Sequence, residues 1–362
     1  MKILIVGFTK IKYMPYANFY LEEVCNDKNE VHLITWNRDC AEDIKLNYNV
    51  KIHQFNRFQQ DEVKKIKKIG NFIRFRNYAK RIIKNEKFDL LIILHTIPGI
   101  LIYDILKKKY KNQYILDYRD VTFEKLFLYK KIIDKMVINS SATFISSDAF
   151  RKILPECEKI YTTHNILIES LQYRNIRLNL PRGNLPIRIG FWGFIRHYNI
   201  NLEIIKKLAN DKRFELHYYG REQETAYKLK QYCLDNNIKN VIFHGEYNPN
   251  DRYNFIKNID IIHNIYENDG NTDYALGNKF YDGIIFYLPQ LCNKGSFMGE
   301  IVEKYNVGCT CDPNKQSFVS EIYNYFQNIN NEKFRANCDI ALRNILNEYN
   351  ECKKYINNLV RE

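Results

Sequence analysis

Several features are missing from this sequence, and each absence narrows what it can be. Its nine cysteines (Cys25, Cys40, Cys157, Cys233, Cys292, Cys309, Cys311, Cys338, Cys352) include no paired C-x-x-C spacing. That removes zinc-ribbon and dithiol chemistry, and an odd, scattered set fits a reducing compartment. Cys309 and Cys311 sit two apart in an apparent strand, on one face, as small packed hydrophobes. No apolar run reaches the roughly 20 residues a bilayer span needs; the longest, residues 90–103, is interrupted by His95, Thr96 and Pro98. Residues 1–7 offer one lysine and a short apolar run, the shape of a buried strand rather than a signal peptide. No internal repeat and no well-placed D-x-D motif are visible.

What is present points to a globular chain of more than one domain. At 362 residues, with 45% hydrophobic and 27% charged residues, two cores are the natural expectation. The formal charge is +13, and the first 150 residues hold 27 Lys and Arg against 17 Asp and Glu. Such asymmetry implies an anionic partner (a lipid surface, a phosphorylated acceptor or nucleic acid), unless it reflects only codon usage that favours lysine and asparagine.

Short apolar runs alternate with amphipathic stretches along the whole chain. Strands are expected at residues 3–7, 31–36, 50–54, 90–95, 114–118, 143–146 and 159–162. A second series follows at 187–193, 214–220, 241–245, 260–266 and 288–292, with helices between. This is the pattern of parallel, doubly wound α/β sheets. Residues 171–186, with Pro181, Gly183 and Pro186 and no period, read as the linker between a first domain of residues 1–170 and a second of 187–331. A closing helix over 332–362 has no following strand and is expected to pack back toward the first domain.

Two stretches of the second domain carry chemistry. In IRIGFWGFIRHYN (187–199) a strand ends at Gly193 and leads through Arg196 toward a helix. Glycine allows close backbone approach, free helix N–H groups attract anions, and arginine holds a diphosphate through paired hydrogen bonds. The alternative is a surface arginine after an ordinary turn. In DYALGNKFYDGIIFYLPQL (273–291) a helix opens at Asn278 and Lys279, with Asp282 one turn inside on the face of Asn278. Lys279 and the helix dipole suit an anion and Asp282 suits ribose hydroxyls; alternatively Asn278 only caps and Asp282 only favours the helix start. In the first domain, residues 61–84 form a basic amphipathic helix with Val63, Ile66, Ile69, Ile73 and Ile82 among its apolar positions. Either it lies on an anionic bilayer, helped by Lys107, Lys108 and Lys109, or it is a crossover helix with solvated lysines.

The motifs KILIVG, FDLLIILH, LDYRD, FISSDAF, THNI, IRIGFWGFIR, LHYYGRE, VIFHGEY, NIDIIHNIY, NKFYDGIIFYLP and EIVEKYNVGCTCDP, in this order, resemble the GT-B glycosyltransferases. The resemblance is closest to the family 4 type of bacterial capsule, lipopolysaccharide and exopolysaccharide assembly. It implies two Rossmann-like domains facing each other across a cleft, the second binding a nucleotide sugar and the first presenting the acceptor. By this resemblance Arg196 and Lys279 hold the donor diphosphate, Asp282 the ribose, and Gly245 to Tyr247 border the base; Gly193 and Asn278 count with them as donor-binding residues. His95 would stand beside the transferred sugar. Gly7, Arg119 and Glu124 fall on the acceptor side, with Asp120 or Glu124 as base toward the acceptor if the enzyme inverts, or Arg119 paired structurally with Asp117. The family often carries two glutamates eight positions apart; here Tyr274 stands eight before Asp282, and Asp273 is the nearest carboxylate.

The expectation is therefore a cytoplasmic transferase, at the inner face of the plasma membrane, needing no metal or other cofactor. It moves sugar from a nucleotide sugar to a glycan or lipid-diphosphate-linked acceptor, with retention of configuration as the resemblance implies. A sugar-nucleotide epimerase of the same fold and a non-enzymatic nucleic-acid binder are the alternatives; nucleic acid is not the expected partner, because an anion site beside an acidic Asp282 suits a mononucleotide.

Overall fold

The computed structural model describes residues 1–60, 65–176, 186–248, 251–268, 270 and 272–360, with backbone only at 65–67. The chain forms two compact units, Met1–His164 with Asn347–Glu362, and Asn165–Leu346.

The first unit is a seven-stranded parallel sheet in the order β3-β2-β1-β4-β5-β6-β7. Its strands are β1 (Lys2–Val6), β2 (Glu30–Asn37), β3 (Lys51–Asn56), β4 (Leu90–Leu94), β5 (Tyr114–Tyr118), β6 (Ala142–Ile145) and β7 (Ile160–Thr162). β4, all apolar (LLIIL), is buried along its whole length, as a parallel strand covered on both faces must be. The helices are α1 (Ala17–Val24), α2 (Lys65–Glu86), α3 (Thr96–Leu101), α4 (Tyr103–Lys109) and α5 (Phe127–Asn139). α2 is the crossover from β3 to β4, and its buried side runs through Phe75, Ala79, Ile82 and Ile83. Ile69 and Ile73, expected on the apolar face, are 52% and 49% exposed. The aromatic residues won the inner face because Phe75 packs between Phe8, Trp36 and Phe55. Residues 61–64 of the basic stretch lie outside the described residues. The end of the chain belongs to this unit: Lys353 pairs with Glu22 and Glu23, and the Tyr355 hydroxyl donates to the Ser141 carbonyl.

The second unit is a six-stranded parallel sheet in the order β10-β9-β8-β11-β12-β13. These strands are β8 (Ile187–Trp192), β9 (Phe214–Tyr219), β10 (Val241–Gly245), β11 (Ile261–Asn264), β12 (Gln290–Asn293) and β13 (Gly308–Cys311). The helices are α6 (Tyr198–Leu208), α7 (Glu224–Asp235), α8 (Arg252–Phe255), α9 (Asn278–Ile285), α10 (Phe297–Tyr305), α11 (Phe318–Gln327) and α12 (Asn331–Leu359), the last running on into residues of the first unit. The short helical stretch Ile168–Ile176 is held within this unit: the Ser170 hydroxyl meets the Tyr253 hydroxyl, and Arg174 donates to the Ile284 and Ile285 carbonyls. Residues 177–185, in the expected linker, lie outside the described residues.

Both sheets reverse their winding once. In the first, the order turns between β1 and β4, so Gly7 and His95, just past those strands, flank that point. In the second it turns between β8 and β11, with Gly193 just past one strand and Tyr266 shortly past the other. A doubly wound sheet opens a crevice outside the carboxyl ends of its strands at such a reversal.

Candidate functional site

From the reversal of the second unit outward to the sheet edge, the neighbouring strands β8, β9 and β10 each finish at a glycine, Gly193, Gly220 and Gly245. Gly193 donates its N–H to the Tyr219 carbonyl at 2.9 Å, and Gly220 to the Gly245 carbonyl at 2.7 Å. Gly193 has a φ of +117° and open space where a Cβ would stand, whereas a Cβ on Gly220 would sit 1.7 Å from the Gly193 carbonyl oxygen. Only glycine fits either position, one by conformation and the other by close approach. The result is a bare backbone ledge.

Lys279 lies in the first turn of α9 and is only 8% exposed. Its ammonium lies 3.9 Å from the centre of the Phe191 ring and 5.0 Å from that of Tyr266, and among the described residues it has neither a hydrogen-bond acceptor nor a carboxylate within ion-pair reach. Burial first, then the Arg196 guanidinium, pull its pKa down to about 7. A buried ammonium on aromatic faces with a second cation near it, and among the described residues no bridging carboxylate, leaves a place for an external anion.

Asp282, 3% exposed, accepts the Trp192 indole N–H at 2.8 Å and lies 3.7 Å from the Arg252 guanidinium. Burial raises its pKa, against the opposing pull of Arg252, Trp192 and Lys279. Arg252 is itself buried, donates to the Ser170 hydroxyl at 2.8 Å, and among the described residues its Nε has no hydrogen-bond partner. Tyr247 completes this side: burial pushes its phenol up to about 12, and its ring meets the edge of Phe255. Phe255 stacks on Tyr219 at 3.9 Å, and Tyr219 on His244 at 4.0 Å, a flat aromatic ladder next to Gly245.

Two expectations about helix ends are corrected. The N-cap of α9 is Gly277; Asn278 is the first helical residue, exposed, and its side chain caps nothing, because the extended backbone at Gly277 already makes the turn into the helix. The start of α6 is not open to a ligand phosphate in the way the sequence suggested. The Glu267 carboxylate accepts from the Asn199 and Ile200 N–H groups at 2.8 and 3.3 Å, so the protein fills that anion site itself. Asp273 is half-buried and tied through its carbonyl to the Phe297 N–H, the start of α10.

The first unit gathers a second set. His95 follows β4 with φ +82° and ψ 157°, a region almost restricted to glycine. Its Nε2 is 3.4 Å from the half-exposed Asp120 carboxylate. A cavity of about 370 Å³ opens beside it, lined by Phe8, Thr9, Tyr16, Arg38, Phe123 and His95 itself among others. Gly7, buried at the end of β1, brings Phe8 to that wall. Arg119 pairs with Asp117 at 2.8 Å; both are buried, and the guanidinium lies 4.3 Å from the centre of the Tyr16 ring. Glu124 accepts from the Tyr118 hydroxyl and the Thr122 N–H, so of the two carboxylates considered as base, Asp120 is the one beside His95.

Trp192, Arg252 and Glu267 are absent from the sequence reading. Arg252 sits in a plain N-D-R-Y context and Trp192 inside a strand; only a strand-end acid such as Glu267 offered a visible signal.

No family model matches the chain, and no curated protein matches it. Solved structures do. Sucrose-phosphate synthase from Thermosynechococcus elongatus is similar over 100% of this chain and 98% of its own, with a TM-score of 0.71 and 10% identity. HepE of Anabaena, solved with UDP and glucose, covers 100% of this chain and 98% of its own at a TM-score of 0.65 and 13% identity. The fold is GT-B. A glycosyltransferase from Rickettsia africae gives a TM-score of 0.64 at 13% identity over 99% of this chain and 97% of its own. At such identities the likeness is one of GT-B fold, and what the site does must come from its own residues.

Proposed function

We propose that the chain is a nucleotide-sugar glycosyltransferase that moves a sugar to a hydroxyl of a glycan or lipid-linked glycan in surface polysaccharide assembly. The observation that carries this reading is Lys279: a buried ammonium without an acceptor, beside Arg196, at the winding reversal of the second unit. A diphosphate supplies the missing anion, and the aromatic ladder from His244 to Phe255 borders the base beside Gly245 and Tyr247. HepE was solved with UDP and with UDP-glucose, which makes UDP the first nucleotide to try.

In this reading the acceptor oxygen bonds to the anomeric carbon. The bond to the phosphate oxygen breaks, its electron pair stays on the nucleoside diphosphate, and the acceptor proton passes to that leaving group. Lys279, Arg196 and the α9 amino end stabilise the developing charge by fixed electrostatics, so the step needs no metal; retention of configuration is proposed on the family resemblance alone. In this reading His95 stands beside the transferred sugar, Asp120 toward the acceptor and Asp273 on the sugar side, and the basic face of residues 61–84 contacts an anionic membrane.

The test is a melting-temperature screen with UDP, GDP, CMP, dTDP and ADP, first without metal and then with magnesium. One diphosphate is expected to raise the midpoint without metal, through binding linkage. No response to any of the five overturns the donor reading.

A further inference from the structure

Three consecutive large apolar side chains at the start of α5 are left bare by the fold: Leu126, the residue before the helix, is 60% exposed, Phe127 76% and Leu128 73%. Ile138, three turns along on the side of Phe127, is 53% exposed. The charges around them are of one sign. Lys125, Lys131 and Lys135 are exposed, and among the described residues none has a carboxylate within ion-pair reach; the Lys131 ammonium lies 5.9 Å from the centre of the Phe127 ring. The nearby acids face other partners, Asp134 pairing with Lys130, and Glu124 taken by Tyr118 and Thr122. The inner side of the helix, through Ile133, Met136 and Val137, is fully buried, so this apolar tip is not left over from the core.

We infer that residues 125–138 are an interfacial anchor: Leu126, Phe127 and Leu128 enter the acyl boundary of an anionic bilayer while Lys125, Lys131 and Lys135 meet its headgroups. Geometry favours a lipid phase over a protein. Phe127 and Leu128, consecutive helical positions, point about 100° apart, and Leu126 stands on the extended residue before them, so the three do not share one helix face. No flat protein surface covers all three, whereas a fluid layer closes around each. Cations ringing an apolar wedge are the arrangement that anionic interfaces hold. Phe123, three residues before the tip, lines the cavity that holds His95, so the anchor puts that cavity at the lipid surface. This deepens the acceptor reading above, since a lipid-linked acceptor presents its headgroup there.

The experiment is sedimentation of the full-length chain with phosphatidylcholine vesicles, with and without phosphatidylglycerol, and without nucleotide, so that its outcome is separate from that of the donor screen. The chain is expected to sediment with the anionic vesicles, and the combined Leu126→Ser, Phe127→Ser and Leu128→Ser variant to partition roughly tenfold or more weakly with its melting temperature kept. Phe127→Trp supplies a second readout, a blue shift of tryptophan emission on adding the same vesicles relative to the parent chain. Equal sedimentation of the triple variant, absence of the blue shift, or loss of a dimer in light scattering without any vesicle binding would each overturn the anchor, the last in favour of a second copy as occupant.

Discussion

Lys279 holds its proton on terms set by the fold. Burial and Arg196 bring its pKa to about 7, against about 10.4 in an unfolded chain. Between those values the unfolded chain binds more protons than the native one, so stability rises with pH across that window; below it both states are protonated and the full cost of the buried charge is present. The free protein is therefore expected to melt higher at pH 9 than at pH 7, and Lys279→Met to flatten that rise; an unchanged slope in the variant would assign the titration elsewhere. A bound diphosphate restores the preference for the charged form, so nucleotide affinity should weaken toward alkaline pH, by up to about tenfold per unit, and lose that dependence in Lys279→Met. His95 shows strain of another kind. At an ordinary position alanine is more stable than glycine by about 0.5–1 kcal/mol; at φ +82° the order should reverse. His95→Gly is expected to exceed His95→Ala by about 1 kcal/mol in denaturant unfolding, while both lower kcat. The usual order would mean that the backbone at His95 relaxes without cost.

At the scale of elements, the placement of α9 decides whether Lys279 and Asp282 reach the site, and one glycine seats it. A Cβ on Gly283 would come within 2.4 Å of the Gln290 amide nitrogen and 2.8 Å of its Cγ. That amide is fully buried, donating to the Phe280 carbonyl at 3.0 Å and accepting from Asn264 at 2.8 Å. Gly283→Ala gains about 1 kcal/mol of helix propensity but must break those bonds or lift the helix. A net loss of about 2 kcal/mol is expected in chemical denaturation, with weaker nucleotide binding. A variant as stable as the parent would show that Gln290 is free to move. This seat was not legible in the sequence, whereas strands were: β4 is an uninterrupted apolar run and β1 is one after Lys2, and a run buried on both faces announces itself. Faces and ends were harder. Ile69 and Ile73 satisfied the apolar period of α2, yet aromatic packing around Trp36 turned Phe75 inward instead. Asn278 had the right side chain for a cap, but the cap is set by the backbone at Gly277. Lys279 and Asp282 were visible because they share a helix turn. Their supports Trp192 and Arg252 come from 90 and 30 positions away along the chain, and only the fold joins them.

On the scale of the whole molecule, the two sheets share one plan and differ in the charge they offer a ligand. The first unit contributes most of the surplus of lysine and arginine, and its reversal point holds a mostly apolar cavity beside His95. At its own reversal the second sets the buried Lys279 on the Phe191 ring with Arg196 near it, and buries Arg252 beside Asp282. A nucleotide bound by the second should therefore stabilise that unit against local opening and leave the first nearly unchanged, since linkage acts only on states that bind the ligand. With UDP at a hundred times its dissociation constant the stabilisation is about 2.7 kcal/mol, enough to slow amide exchange about a hundredfold where exchange requires opening of the binding unit. Hydrogen-exchange mass spectrometry is expected to show protection in peptides covering residues 190–200, 244–248 and 276–288, with those covering 90–125 unaffected. Protection centred on 90–125 instead would move the nucleotide to the cavity beside His95. Lys279 would then be left as a buried ammonium that the fold tolerates at a cost in stability, and the pH dependence of melting would survive as the only trace of it.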